Sequence, residues 1–424
     1  MPDTEATYKP KRDARVEVAR TEAGDGTAVY VLHNPDAGTY LQIDERNHFL
    51  WELMDGEHEL GALAVAYMVE FGALPLDRLD QLIGQLKASA LLEGAEPVPR
   101  QAPADGPASR MARVGDAALQ RQFDWLGADG FFGGLHRRVG WVFFTRPALV
   151  VLALVAAAGF AAFVYLHRVR DYRLFKVDDS YGAAVVVMAL ATVVVTFLHE
   201  SGHGLTCKAF GRRIHKAGMM FFYGRPAFFV DVSDMWMASR RGRVLVSLAG
   251  PAVNVLVGSV LAIVALGLAP STAAQVLFVA AFVSYLHGLV NLNPLLELDG
   301  YYVLVDWLQI SGLREKSFAF VKNDLAARIR GRDRFTRGDL PYAIYGVLAA
   351  AFTALTVVLA VYIWQVELRL MVSAVVTGED VLATVLVGGL ALLASTWLVI
   401  GLVARFLAWL GARRRGGDEP ANGG

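Results

Sequence analysis

Residues 181–205 read YGAAVVVMALATVVVTFLHESGHGL. The run up to Leu198 is apolar enough to enter a hydrocarbon core, which takes about 20 residues to cross. Two histidines and a glutamate then arrive within five positions. Ionisable groups are costly at membrane depth and usually mark function. Residues four apart on a helix share a face, so His199 and His203 present both imidazoles to one point. His199-Glu200-Ser201-Gly202-His203 is the metal pattern H-E-x-x-H, with Glu200 placed to take the proton of an attacking water. Two helix-packing histidines bonded to backbone would account for the imidazoles and leave Glu200 unexplained.

The rest of the chain fits a membrane setting. Of 424 residues, 55% are hydrophobic, more than a soluble domain of this size carries. The 40 basic and 40 acidic residues balance, so nothing draws the chain to nucleic acid. One cysteine, Cys207, excludes an internal disulfide framework. Apolar runs at 147–166, 181–204, 244–268, 273–295, 341–364 and 380–410 predict an α-helical polytopic membrane protein of about six spans, with its membrane domain over 141–411. Lys and Arg crowd loops 207–243 and 303–340 and the tail 412–424, while 269–272 has none and 365–379 has only Arg369. Loop 168–180, with Arg168, Arg170, Arg173 and Lys176, is the exception. By the positive-inside rule both termini are cytosolic. The polar, charged residues 1–20 agree, because they do not read as a signal peptide.

Ahead of the spans, residues 1–26 read as a disordered tail. Residues 27–94 read as a small α+β domain. TAVYVLHNPDAGTYLQI predicts one hairpin, and helical spacing from Asp44 to Leu92 predicts three helices. Residues 95–140, opening on the Pro- and Ala-rich EPVPRQAPADGPASR, read as a linker and a membrane-surface segment.

A hydrolytic zinc site needs a third protein ligand and an open position. NLNPLLELDGYY, residues 291–302, supplies Asp299. From Gly182 to His199 a helix rises about 26 Å, and from Ala273 to Asn291 about 27 Å. Both spans enter from the same side, and Pro294 breaks the second before Asp299. The two motifs therefore reach the same depth. Cys207 continues the i, i+4 row but lies about 12 Å along the axis from His199, too far to close on one ion. His287 reads as a packing residue. Glu297 faces the cytosolic loop, and Asp231 and Asp234 read as turn and capping residues.

HESGH in one span, AGPAVN (249–254) in the next and NLNPLLELDG after it resemble the three-span core of the site-2 protease class of intramembrane zinc metalloproteases. That core covers 181–305. The resemblance implies one zinc ion per chain, held by His199, His203 and Asp299, with Glu200 as general base. It places Asn254 and Asn291 beside the site, as donors to a substrate backbone or an oxyanion. A helix–helix hydrogen bond is the other reading of Asn254. Gly250 and Ala252 allow close helix approach, and Pro251 is tolerated if neighbours satisfy the freed carbonyl. GMMFFYGRPAFFVDVSDMW (218–236) and LDGYYVLVDWL (298–308) resemble a bacterial subgroup called the putative peptide zinc metalloproteases. LHNPDAGTYLQIDERNHFLWELMDGEHELGALAV (32–65) resembles the PqqD-like winged-helix domains that grip the leaders of ribosomally made, modified peptides. No PDZ-like domain is visible.

The implied activity is hydrolysis of a peptide bond in a peptide or membrane-protein substrate, in a bacterial cytoplasmic membrane, with export or peptide-modification proteins as partners. The rival is a non-proteolytic, membrane-anchored peptide-binding component of a maturation or export complex. A metal-bearing transporter is weaker, since no inverted repeat shows in the hydropathy. AGMMFFYGRPAFFV (217–230) predicts two short strands around a turn, a re-entrant hairpin whose free edge would pair with an extended substrate.

Overall fold

The computed structural model describes residues 8–22, 27–74, 76–95, 122–222, 225–310, 312–330 and 336–363, with single positions as far as 385. The N-terminal unit holds β1 (Glu17–Glu22), β2 (Ala28–Asn34), β3 (Thr39–Asp44), α1 (Glu45–Glu52), α2 (Leu60–Phe71) and α3 (Leu76–Ala88). The strands form one antiparallel sheet in the order β1-β2-β3. The β2–β3 turn is set by Asn34, whose Oδ1 accepts from the N–H of Asp36 at 3.0 Å and of Ala37 at 3.2 Å. Gly38 then takes φ +62°, which a side chain would resist. Asp44 caps α1 by accepting from Asn47 N–H at 2.8 Å. Leu32, Leu50, Met54, Leu63, Leu82 and Leu86 fill a core between sheet and helices.

This unit differs from expectation in one element. Residues 17–22 pair with β2 in full register, Glu17 with His33 through Glu22 with Ala28, where a disordered tail was expected. EVARTE carries little apolar alternation, so its pairing is fixed by the neighbouring strand rather than by its own pattern.

Next come β4 (Gln122–Asp124), α4 (Ala128–Arg138), α5 (Arg146–Arg168), α6 (Tyr181–Ala209), β5 (Ala217–Phe222), β6 (Arg225–Val230), α7 (Arg240–Gly267), α8 (Thr272–Asn291), α9 (Asp299–Leu308), α10 (Leu313–Asn323), α11 (Leu325–Ile329) and α12 (Leu340–Ile363). Among the described residues five helices are long and apolar enough to cross a membrane: α5, α6, α7, α8 and the Leu340–Leu359 part of α12. The expected sixth run, 380–410, lies almost wholly outside the described residues. Serine caps begin three of the spans, with Ser180 Oγ, Ser239 Oγ and Ser271 Oγ accepting from the third residue beyond.

Close helix approach is paid for in small residues. A Cβ on Gly159 of α5 would collide with Ser259 of α7. One on Gly202 of α6 would stand 3.0 Å from the Ala249 carbonyl oxygen of α7. Segment 95–140, read as a linker ending along the membrane surface, is more than that from residue 122 onward. β4 pairs with β5 in a second antiparallel sheet, β4-β5-β6. Helix α4 packs on α6, with Phe132 buried against Gly204. Asp129 accepts from Lys208 Nζ at 2.7 Å and Ile214 N–H at 2.8 Å. The loop 303–340 is also structured, carrying most of α9 and all of α10 and α11.

Candidate metal centre

His199 and His203 lie on one face of α6, 4% and 7% exposed. Their Nε2 atoms are 3.1 Å apart. Helix α8 ends at Asn291, an irregular turn follows, and Asp299 opens α9. That break brings Asp299 Oδ2 to 3.0 Å from His199 Nε2 and Oδ1 to 3.4 Å from His203 Nε2. Ligands about 2.0–2.1 Å from a tetrahedral zinc sit about 3.3 Å from one another. The two Nε2 atoms, and each of them with one Asp299 oxygen, thus stand about as far apart as the ligands of a zinc ion.

The surroundings aim these atoms. His203 Nδ1–H donates to the Val246 carbonyl of α7 at 2.7 Å, which turns the bare Nε2 towards Asp299. His199 Nδ1 lies 2.9 Å from Nδ2 of the fully buried Asn254. Turning that amide over puts Oδ1 there instead, which gives a partner to an oxygen that otherwise has none, and leaves His199 Nε2 bare. Asp299 Oδ2 is buried without a hydrogen bond of proper geometry. Two nitrogen lone pairs and a largely buried carboxylate then face one another, which is unfavourable unless a cation stands between them. The fourth wall is Gly250, where a Cβ would come within 2.5 Å of both Nε2 atoms. Only a residue without a side chain leaves that space open. The residues present fit a bound zinc ion.

Glu200 is held from outside α6. Its Oε2 accepts from Val230 N–H, at the end of β6, at 3.1 Å. It borders two cavities. One, about 360 Å³, is lined also by His203, Asp299 and Tyr302. The other, about 270 Å³, is walled by aromatics of β4–β6 and α6, including Phe123, Phe228 and Phe197. A third cavity, about 930 Å³, shares Arg243, Tyr302 and Asp306 with the first and reaches Val29, Val31 and Gln42 of the N-terminal sheet.

No family model matches the chain, and no solved structure matches it. A curated protein of Bacillus subtilis (strain 168), named "Putative peptide zinc metalloprotease protein YydH", is 32% identical over 159 residues. The match covers 36% of this chain and 62% of that protein, so this chain spans less than two thirds of its relative's length. The likeness supports a zinc metalloprotease. The relative's name also specifies the metal, in keeping with the His199, His203 and Asp299 group.

The other sequence candidates are not part of the His199, His203 and Asp299 group. Cys207 is buried, its Sγ–H directed to the Arg213 carbonyl at 3.5 Å. Glu297 lies 4.0 Å from Arg314 Nε. Asp231 Oδ1 accepts from Ser233 N–H at 3.0 Å, as turn chemistry has it. Asn291 Nδ2 donates to the His287 carbonyl of its own helix at 2.8 Å. His287 packs edge-on to His199, with ring centroids 5.4 Å apart. Two features lie outside the sequence reading: Gly250 has a role beyond close packing, and the Val246 carbonyl leaves no trace in a sequence. The Asn254 amide meets His199 across two helices, the second of the two readings given for it, rather than standing free for an oxyanion.

Proposed function

We propose that the chain is a membrane-embedded zinc endopeptidase of the site-2 protease class. It hydrolyses a peptide bond of a peptide or membrane-protein substrate. The observation that carries the reading is the 3.0–3.4 Å convergence of His199, His203 and Asp299, two residues from α6 and one from the start of α9.

When bound, zinc lowers the pKa of water and polarises a carbonyl. His199, His203 and Asp299 are its ligands, with Asn254 and the Val246 carbonyl fixing the imidazole tautomers. Glu200 is the general base. It accepts the proton of the attacking water and returns it to the leaving amine. The Val230 N–H holds one Glu200 oxygen and leaves the other to the proton. The free edge of the hairpin is that of β6, since β4 already covers β5. An extended substrate strand beside β6 would lie next to Glu200.

The N-terminal unit acts as a PqqD-like peptide-binding domain. The large cavity between its sheet and α9 is the route by which a captured peptide reaches the zinc. Both termini face the cytosol of a bacterial cell, and export or peptide-modification proteins are the partners. Glu200→Gln tests the reading. The variant keeps stoichiometric zinc and loses the small-peptide product that cells carrying the wild-type chain make, by mass spectrometry. Unchanged product from that variant refutes the assigned base.

A further inference from the structure

A second cluster of metal-ligating side chains stands apart from the first. His33 of β2, His215 in the segment between α6 and β5, and Asp234 in the 3-10 turn Ser233–Met237 each offer a ligand atom, all within 4.8 Å of one another. Two come from the membrane body and one from the N-terminal sheet. We propose that these residues form a second divalent-metal site, of the zinc class, that fastens the N-terminal domain to the membrane body.

The decisive residue is His33. It is 4% exposed, and its Nε2 is buried with no hydrogen-bond partner. Its Nδ1 faces Glu17 Oε2 of β1 at 3.5 Å. A carboxylate beside Nδ1 with Nε2 left bare is the arrangement that holds metal-binding histidines. Asp234 is similarly prepared. Its Oδ2 accepts from Arg213 N–H at 2.8 Å, which leaves Oδ1 facing the cluster.

Tyr40 of β3 stacks on His33 with ring centroids 4.2 Å apart. Its hydroxyl lies 2.7 Å from His215 Nε2 and 3.3 Å from Asp234 Oδ1. A latch made of hydrogen bonds alone would explain Tyr40, His215 and Asp234. It leaves the buried His33 nitrogen with nothing to do. A cation uses all three ligands and keeps Tyr40 as the donor that orients Asp234. Drawing the donor atoms in to the roughly 3.3 Å of a tetrahedral zinc site requires small side-chain rotations. His215 and Asp234 sit on connecting segments, where such rotations are easy, whereas His33 is fixed in the sheet. Two imidazoles and a carboxylate suit zinc and its borderline neighbours, not magnesium or calcium.

The test is zinc content of the full-length, detergent-purified protein after dialysis at buffered free zinc, by inductively coupled plasma mass spectrometry. Wild type is expected to hold two zinc ions per chain. His33→Gln lowers this to one, and so does His199→Ala with His203→Ala; all three together leave none. Asp234→Asn repeats the loss outside the N-terminal core, since an amide oxygen still accepts from Arg213 N–H. A single zinc that vanishes with His199 and His203 overturns the second site and leaves the protease reading intact. Two zinc ions persisting in both His33→Gln and Asp234→Asn overturn it as well.

Discussion

Gly250→Ala is the sharpest probe of the metal centre. The added Cβ would stand 2.5 Å from both His199 Nε2 and His203 Nε2, where ordinary contact begins at 3.4 Å. Each ring must therefore withdraw by about 0.9 Å, several times the roughly 0.2 Å latitude of a zinc–ligand bond. Moving the α7 backbone away from α6 instead of the rings is limited by α8, where a Cβ on Gly288 would already stand 3.3 Å from the Pro251 carbonyl oxygen. Loss of both imidazole bonds should raise the zinc Kd at least about 100-fold, or about 2.7 kcal/mol. Chelator competition followed by metal analysis reads this directly. Gly267→Ala, at the open end of the same helix with nothing within 4 Å, is the control and changes nothing. Full zinc occupancy and wild-type Kd in Gly250→Ala would refute the reasoning.

Asn254→Ala removes the partner of His199 Nδ1 without touching a ligand, and weakens zinc binding about 10- to 100-fold in the same competition assay. Asp129 governs part of the acid limb of stability. Partial burial raises its carboxyl, but the hydrogen bond from Lys208, with that from Ile214 N–H, outweighs burial and leaves it below its ordinary value. A depressed folded value means stability present above the ordinary carboxylate range near pH 4 and lost as pH falls through the lower folded value. Thermal unfolding in detergent between about pH 5 and 2 should show that loss, and Asp129→Asn should flatten it.

Much of the architecture could be read because the physics behind it is local. The imidazole pair follows from the four-residue repeat of a helix. Asp299 followed from counting rise along two spans and from Pro294, and the structure ends α8 three residues before that proline. The apolar runs 147–166, 181–204, 244–268, 273–295 and 341–364 correspond to five long helices. What escaped depends on distant partners. β4 is three exposed residues with no pattern of their own, paired with β5 residues 94 to 98 positions further along the chain. β1 is a polar strand held by β2. The basic loop 303–340 was read for charge, and its helices pack through Leu313 and Phe320, too few apolar positions to announce themselves. Docking of Tyr40 onto His215 joins segments 175 residues apart, and no sequence spacing encodes it.

The central claim is that two imidazoles and one carboxylate, from α6 and α9, hold a single zinc. Zinc K-edge absorption of the purified Asp234→Asn chain, in which only that centre remains loaded, tests it most directly. The expected spectrum shows nitrogen and oxygen neighbours at about 2.0–2.2 Å, two of them with imidazole scattering, and it is lost on Asp299→Ala. A sulfur neighbour at about 2.3 Å, or a spectrum unchanged by Asp299→Ala, would contradict it.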